Sequence, residues 1–99
     1  MTDYIYNGAG QAVGFRRGRY IHDMHGQAVG QVNGSHVHKL SGAYVGELEG
    51  DFIAKSSANY GNIGNPGNPG NPGSPGNPGS RGSSGNGYRD ASAGLFGSD

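Results

Sequence analysis

A 16-residue unit recurs through the first half of this chain, and no other feature constrains its fold as strongly. In register, the copies run from Asp3 to Gly18, Arg19 to Gly34 and Ser35 to Gly50, and a fourth opens with Asp51, Phe52 and Ile53. Ile5, Ile21, Val37 and Ile53 fall 16 residues apart, as do Gly10, Gly26 and Gly42, then Val13, Val29 and Val45, then Gly14, Gly30 and Gly46. A fixed period means one supersecondary unit used several times, each copy unable to bury its apolar face alone.

Within a copy the signals are those of a hairpin. Tyr4, Ile5 and Tyr6, and Tyr20, Ile21 and His22, place a β-branched residue between rings, which suits a half-buried strand. The next four residues, Asn7 to Gly10 or Asp23 to Gly26, put an Asx first and Gly fourth, predicting a type I turn with a left-handed residue at a G1 bulge. A second strand follows, and Arg17-Gly18, Asn33-Gly34 or Glu49-Gly50 predicts a two-residue turn. Gly14, Gly30 and Gly46 sit inside that second strand, where they mark a bend or a close backbone approach. A bent meander can close on itself and so remove its sticky edges. Four hairpins around an axis is the count expected. The last is irregular, because Ile53 and Ile63 lie ten residues apart where Ile5 and Val13 lie eight apart, while Tyr60 to Gly64 echoes the valine-glycine end.

Only one small domain fits in 99 residues, and 31% hydrophobic residues with 22 glycines leave little material for a core. Seven basic and seven acidic side chains cancel, so the overall field points to no nucleic acid partner. With no cysteine there is no disulfide framework, and no run approaches the roughly 20 apolar residues of a membrane span. No signal peptide is visible at the N-terminus, so a soluble, cytoplasmic protein is the default expectation.

After about residue 60 the composition changes. From Gly61 to Gly85 glycine falls at every third position, mostly in Gly-Asn-Pro or Gly-Ser-Pro triplets. That is the collagen Gly-X-Y period, read either as a short triple helix or as a solvated, partly polyproline-II spacer. The expected division is a repeat-built head over residues 1–64, a low-complexity spacer over 65–86 and a C-terminal tail over 87–99. With only Tyr88, Leu95 and Phe96 as bulky residues, that last segment reads as a frayed tail or a docking peptide, and removing everything beyond the head is expected to leave its folding intact.

The motifs Gly-Gln-Ala-Val-Gly at 10–14 and 26–30, Gly-Ala-Tyr-Val-Gly at 42–46 and Glu-Leu-Glu-Gly at 47–50 resemble the four-fold β-flower domain family over roughly residues 3–64. The resemblance implies an all-β fold, a shallow four-fold pseudo-symmetric barrel whose hairpins splay like petals. It carries no activity with it. The family's barrel has been likened to Tubby-like domains, which bind phosphoinositides, and that likeness concerns fold alone.

Three sets of residues are candidates for a site. His22 and His38 share a repeat position with Tyr6 and Ala54, so symmetry would set them in a ring around the axis. Facing imidazoles could hold a metal ion, although with no carboxylate or thiolate in the ring the ligand set is incomplete; a pH-dependent change in packing, or ordinary half-exposed rings, are the other readings. Arg16, Arg17 and Arg19 cluster at the first inter-repeat turn, where they could grip a phosphate or carboxylate, be solvated, or pair with Glu47, Glu49 and Asp51. The aromatics Tyr4, Tyr6, Phe15, Tyr20, Tyr44 and Phe52 could form an interface, but in so small a chain most are expected in the core.

No nucleophile elbow, recurring carboxylate pair, phosphate loop or dinucleotide fingerprint is present, no helix is predicted, and no cofactor or enzymatic activity is expected. The function expected is a non-enzymatic binding or assembly module, a head on a flexible stalk that meets a protein or lipid ligand and could self-associate. The alternative is an anionic headgroup or other anion-binding domain using the arginine cluster.

Overall fold

The computed structural model describes residues 3–56, 61, 63–64, 67, 69–73, 75–76, 78–79 and 91–96. Tyr60 and Tyr88, and the spacer from residue 80 to 86, lie outside the described residues. The strands are β1 (Asp3–Tyr6), β2 (Ala12–Arg17), β3 (Tyr20–Asp23), β4 (Ala28–Asn33), β5 (His36–Lys39), β6 (Tyr44–Glu49) and β7 (Phe52–Ala54), followed by one short helix, α1 (Ala93–Phe96). They form a closed barrel in chain order, each strand antiparallel to the next. The fold is therefore the all-β barrel that the repeat predicts, with three complete hairpins and, among the described residues, one strand of the fourth. A meander with an odd number of strands ends parallel to its start, and β7 meets β1 in parallel at one bridge, Tyr6 with Phe52, with Tyr6 N donating to Asp51 O at 2.8 Å. Ile63, from the echo of the fourth hairpin, donates its N–H to Gly42 O at 2.9 Å on the third petal.

Turn chemistry explains the petals. Asn7 N donates to Gln11 O and Gly10 N to Asn7 O, while the Asn7 side chain accepts from the N–H groups of Ala9 and Gln11; Asp23 repeats the pattern with His25, Gly26 and Gln27. That is the predicted type I turn and G1 bulge, and Gly26 takes φ 87° to complete it. The inter-repeat turn lies one residue later than expected. Arg17 pairs with Tyr20, so the two loop residues are Gly18 and Arg19, with Gly first at φ 63° and Arg19 not left-handed, the type II′ arrangement. The register also shifts opposite Ile5, Ile21 and Val37, leaving Val13, Val29 and Val45 as extra residues that bend the second strand of each hairpin.

Alternation sends Ile5, Ile21, Val37 and Ile53 into the barrel, where each is at most 2% exposed. Val32, Ala91 and Leu95 complete that cluster. The core is thus aliphatic, against the expectation of an aromatic one. Phe15 and Phe52 are buried but lie outside the cluster, and Tyr4, Tyr6, Tyr20 and Tyr44 are half-buried. The inward positions carry Ile5, Ile21, Val37 and Ile53, and the ring packed against them is that of Phe96, from the far end of the chain.

The C-terminal segment also differs from a frayed tail. Ala91 N donates to Ile53 O at 2.8 Å, and the segment from Ala91 through α1 sits against the walls at Gly14, Gly30 and Gly46. A Cβ on Gly30 would stand 2.6 Å from Leu95 Cδ1, one on Gly46 would stand 3.2 Å from Ala91 Cβ, and one on Gly14 would collide with the Phe96 ring. The three strand glycines are the close approach read from the sequence, and what approaches is the carbonyl of the next strand, from His22, His38 or Ala54, together with the far end of the chain.

Candidate functional site

Because Ile21 and Val37 point inward, His22 and His38 point outward, each on its own petal. They do not face one another across the barrel mouth. His22 is 2% exposed, stacks on Phe15 at 5.0 Å between ring centroids, and donates from Nδ1 to Gly26 O at 3.0 Å, since a carbonyl only accepts. His38 is 1% exposed, meets the edge of Tyr44, and donates from Nε2 to Gly61 O at 3.1 Å. Both imidazoles are thereby bound to backbone, and among the described residues no three His, Asp or Glu side chains come together as a metal site would require. Tyr6 stands at their repeat position on β1, half-buried beside the β1–β7 seam.

Gln31, in the strand next to His38, escaped sequence reasoning although it is fully buried. Its Nε2 donates to Lys39 O at 3.1 Å and Gly64 O at 3.2 Å, and its Oε1 accepts from Arg19 Nη2 at 3.3 Å. The signal was present: Phe15, Gln31 and Glu47 share a repeat position, and two polar residues standing where the first copy has Phe call for partners.

The arginines diverge. Arg16 turns its Nε to Gly18 O at 2.9 Å and lines a cleft of about 700 Å³ at the seam, with Asp3, Tyr4, Ile5, Tyr6, Leu48 and Asp51. Arg17 is exposed beside Tyr20 and His22 in a second cleft of about 430 Å³, whose other wall is Pro69 to Pro72. Arg19 lies 5.9 Å from the Tyr20 ring centroid in addition to its bond with Gln31. The three guanidinium groups serve different neighbours, and no single anion has all three around it in this arrangement.

The third petal carries a polar cluster that its sister petals lack. Glu47 accepts from Ser35 Oγ at 2.8 Å, from His36 Nδ1 at 2.8 and 3.0 Å, and from Tyr44 Oη at 2.6 Å. Partial burial alone would push the Glu47 carboxyl up; the hydrogen bonds from Tyr44, His36 and Ser35 and the charge of His36 outweigh it and hold the carboxyl below its ordinary range.

Along the outer face runs the Gly-Asn-Pro segment. Gly67, Gly70, Gly73, Gly76 and Gly79 all have φ between 81 and 90°. Polyproline II and collagen hold φ near about −75°, so neither describes the chain at these glycines. A Pro followed by a left-handed Gly is instead the central pair of a type II turn. Tyr4 Oη donates to Pro75 O at 2.9 Å, Asn71 Nδ2 to His25 O at 3.3 Å, and Asn71 Oδ1 accepts from Gly73 N at 2.7 Å. At the petal tips the approach is closest: a Cβ on Gly26 would collide with the Asn71 side chain and stand 2.6 Å from Gly73 O, and one on Gly42 would collide with Ile63 O.

No helix among the described residues is long and apolar enough to cross a membrane. Comparison with curated proteins and with solved structures finds no match. Comparison with protein families finds one that agrees with the closed meander, the petals and the recurring glycines: the model of the 4-fold beta flower protein matches residues 3–92, and the chain belongs to that family.

Proposed function

We propose that this chain is a non-enzymatic binding or assembly module whose petal face holds turn-forming, proline-containing polypeptide, with its own Gly-Asn-Pro segment as the occupant seen in the structure. One observation carries the reading. Gly26 and Gly42, place-mates at two petal tips, are both buried, and both lie in contact with backbone from the 61–73 segment. The contacts are carbonyls, amides and a tyrosine hydroxyl, which recognise chain shape and leave most side chains of the bound segment exposed. A non-enzymatic role is supported by Glu47, a carboxylate already saturated by three donors and so poorly placed to move protons. The test is NMR titration of the full chain with a synthetic Gly-Asn-Pro repeat peptide. Because the tethered segment competes at an effective concentration of about millimolar, the peptide must be added above that level. Shifts at Asp23 to Gly26, Lys39 to Gly42 and Tyr4 support the reading, and their absence removes it.

A second reading, an anionic headgroup or other anion site at Arg16, Arg17 and Arg19, draws on the exposure of Arg17 beside the open cleft it shares with Tyr20. Binding to anionic liposomes that weakens with salt, and is lost in Arg17→Ala, would favour it over the petal-face reading.

A further inference from the structure

The petal-side end of the barrel is a walled socket, and its contents arrive from the far end of the chain. Gly14, Gly30 and Gly46 occupy one repeat position on β2, β4 and β6, and each opens onto a different residue of the C-terminal segment: Phe96, Leu95 and Ala91 in turn. Val45 also reaches the segment, at 3.4 Å from where a Cβ on Gly94 would sit. A helix of four residues has no stability of its own, because nucleating a turn costs more than so short a run returns. Its conformation is therefore imposed by the socket, as that of a bound peptide would be.

The attachment has the character of a ligand in two further respects. A backbone bond from Ala91 N to Ile53 O joins the segment to the strands, while those from Gly94 to Ala91 O and from Leu95 and Phe96 to Ser92 O are internal. The outer side of the occupant faces water, since Gly94 is exposed and Phe96 is half-buried, while Leu95 is 8% exposed. The tether is also long. Thirty-six residues separate Ala54 from Ala91. Extended, such a length reaches about 120 Å, against a widest dimension of 34 Å for the molecule, so the covalent link does not force the segment into this site.

We infer that this end of the barrel is a peptide-binding socket for a short apolar helical turn of the pattern Ala-x-x-x-Leu-Phe, and that Ala91–Phe96 is its resident, displaceable occupant. The three wall glycines suit that pattern: each opens onto one residue of the occupant as well as onto the carbonyl of the next strand, so a Cβ there would meet both. A partner segment with the same spacing fits the same walls. The socket lies inside the barrel, apart from the petal face, and its test reads different residues.

Two measurements decide it. In the wild-type chain, amide exchange at Ala91, whose N–H is bonded to the barrel, is expected to be at least about tenfold faster than at Ile21 and Val37; equal protection would mean that the segment leaves only on global unfolding, and would overturn the proposal. In the full-length Leu95→Ala chain, whose own plug is weakened, an eight-residue peptide of sequence Asp-Ala-Ser-Ala-Gly-Leu-Phe-Gly is expected to shift the Gly14, Gly30 and Gly46 amides saturably and to raise the melting temperature. A scrambled peptide should do neither, and adding Gly30→Val should weaken binding roughly tenfold or more. A folded Leu95→Ala chain that shows no saturable shift overturns the proposal. If that variant does not fold, exchange in the wild type gives the answer alone.

Discussion

The inner and outer faces of the barrel are made by the same strands and are finished by the same tail, yet in opposite ways. Inside, the occupant inserts side chains, Ala91 and Leu95 join Ile5, Ile21, Val37 and Ile53, and the fit is one of volume. Outside, the Gly-Asn-Pro segment lies against petal tips through single hydrogen bonds and stays largely exposed. A dry, close-packed contact tolerates little change, because lost methylenes leave cavities and added ones have nowhere to go. A wet contact of isolated hydrogen bonds contributes about 0.5–1.5 kcal/mol each at most. The tail is thus one chain with two kinds of attachment, and the two should respond differently to mutation.

The largest effect belongs inside. Leu95→Ala should cost about 2–5 kcal/mol, seen as a fall of roughly 10 °C or more in thermal unfolding followed by circular dichroism. An unchanged melting temperature would show that α1 does not complete the core, and the contrast between the faces would collapse. Truncation before Ala91 should cost at least as much, which reverses the expectation that the head folds without its tail.

Next comes the wall. Gly14→Ala places a methyl group against the His22 carbonyl and the Phe96 ring, and the backbone carbonyl cannot swing aside. A loss of about 1–3 kcal/mol is expected, measured by urea unfolding, and pairing it with Phe96→Ala should recover part of the loss if the ring is what the methyl meets.

A smaller effect, read against pH, belongs to the third petal. The folded Glu47 carboxyl is held below the value of 4.5 that it has when unperturbed. A depressed folded pKa means that the unfolded state takes up the proton first as pH falls. The stabilisation is therefore complete above about 4.5 and is lost as pH drops through the folded value. Glu47→Gln should flatten that part of the acid-unfolding profile and lower stability near pH 7, where the carboxylate contributes in full, while leaving it little changed below the folded pKa. An identical acid limb in both chains would show that the cluster contributes nothing.

The smallest effect is outside. Tyr4→Phe removes only the hydroxyl that reaches Pro75 O and should cost about 1 kcal/mol or less. Faster amide exchange at Gly76 with an unchanged melting temperature would locate the loss in the tail. A large global loss would mean that the outer contact is as cooperative as the inner one.

The backbone of the petals was legible because it depends on local rules. Asn7 and Asp23 with a fourth-place glycine announce their turns, and Ile5, Ile21, Val37 and Ile53 announce the inward face, since both follow from chain stereochemistry within a few residues. Sixteen-residue spacing then implies stacking and closure. The histidines were less legible: alternation after Ile21 and Val37 already turns His22 and His38 outward, but their partners, the Gly26 and Gly61 carbonyls, are met only once the turn and the later segment are in place. The Glu47 cluster draws Ser35, His36 and Tyr44 from two strands, so it exists only once those strands pair.

Local chemistry writes the repeating hairpin and the glycine positions into the chain; what stands against those glycines depends on how strands and tail come together. A missing Cβ reads the same on paper whether it relieves a dihedral angle or makes room for a neighbour. At Gly14, Gly30 and Gly46 one neighbour is the carbonyl of His22, His38 or Ala54 on the next strand, and another comes from residues 91–96, well beyond the repeats, where contacts between segments so far apart leave no local signature in a chain. Burial of Ala91 and Leu95 becomes favourable only when three petals have already closed around the space they fill.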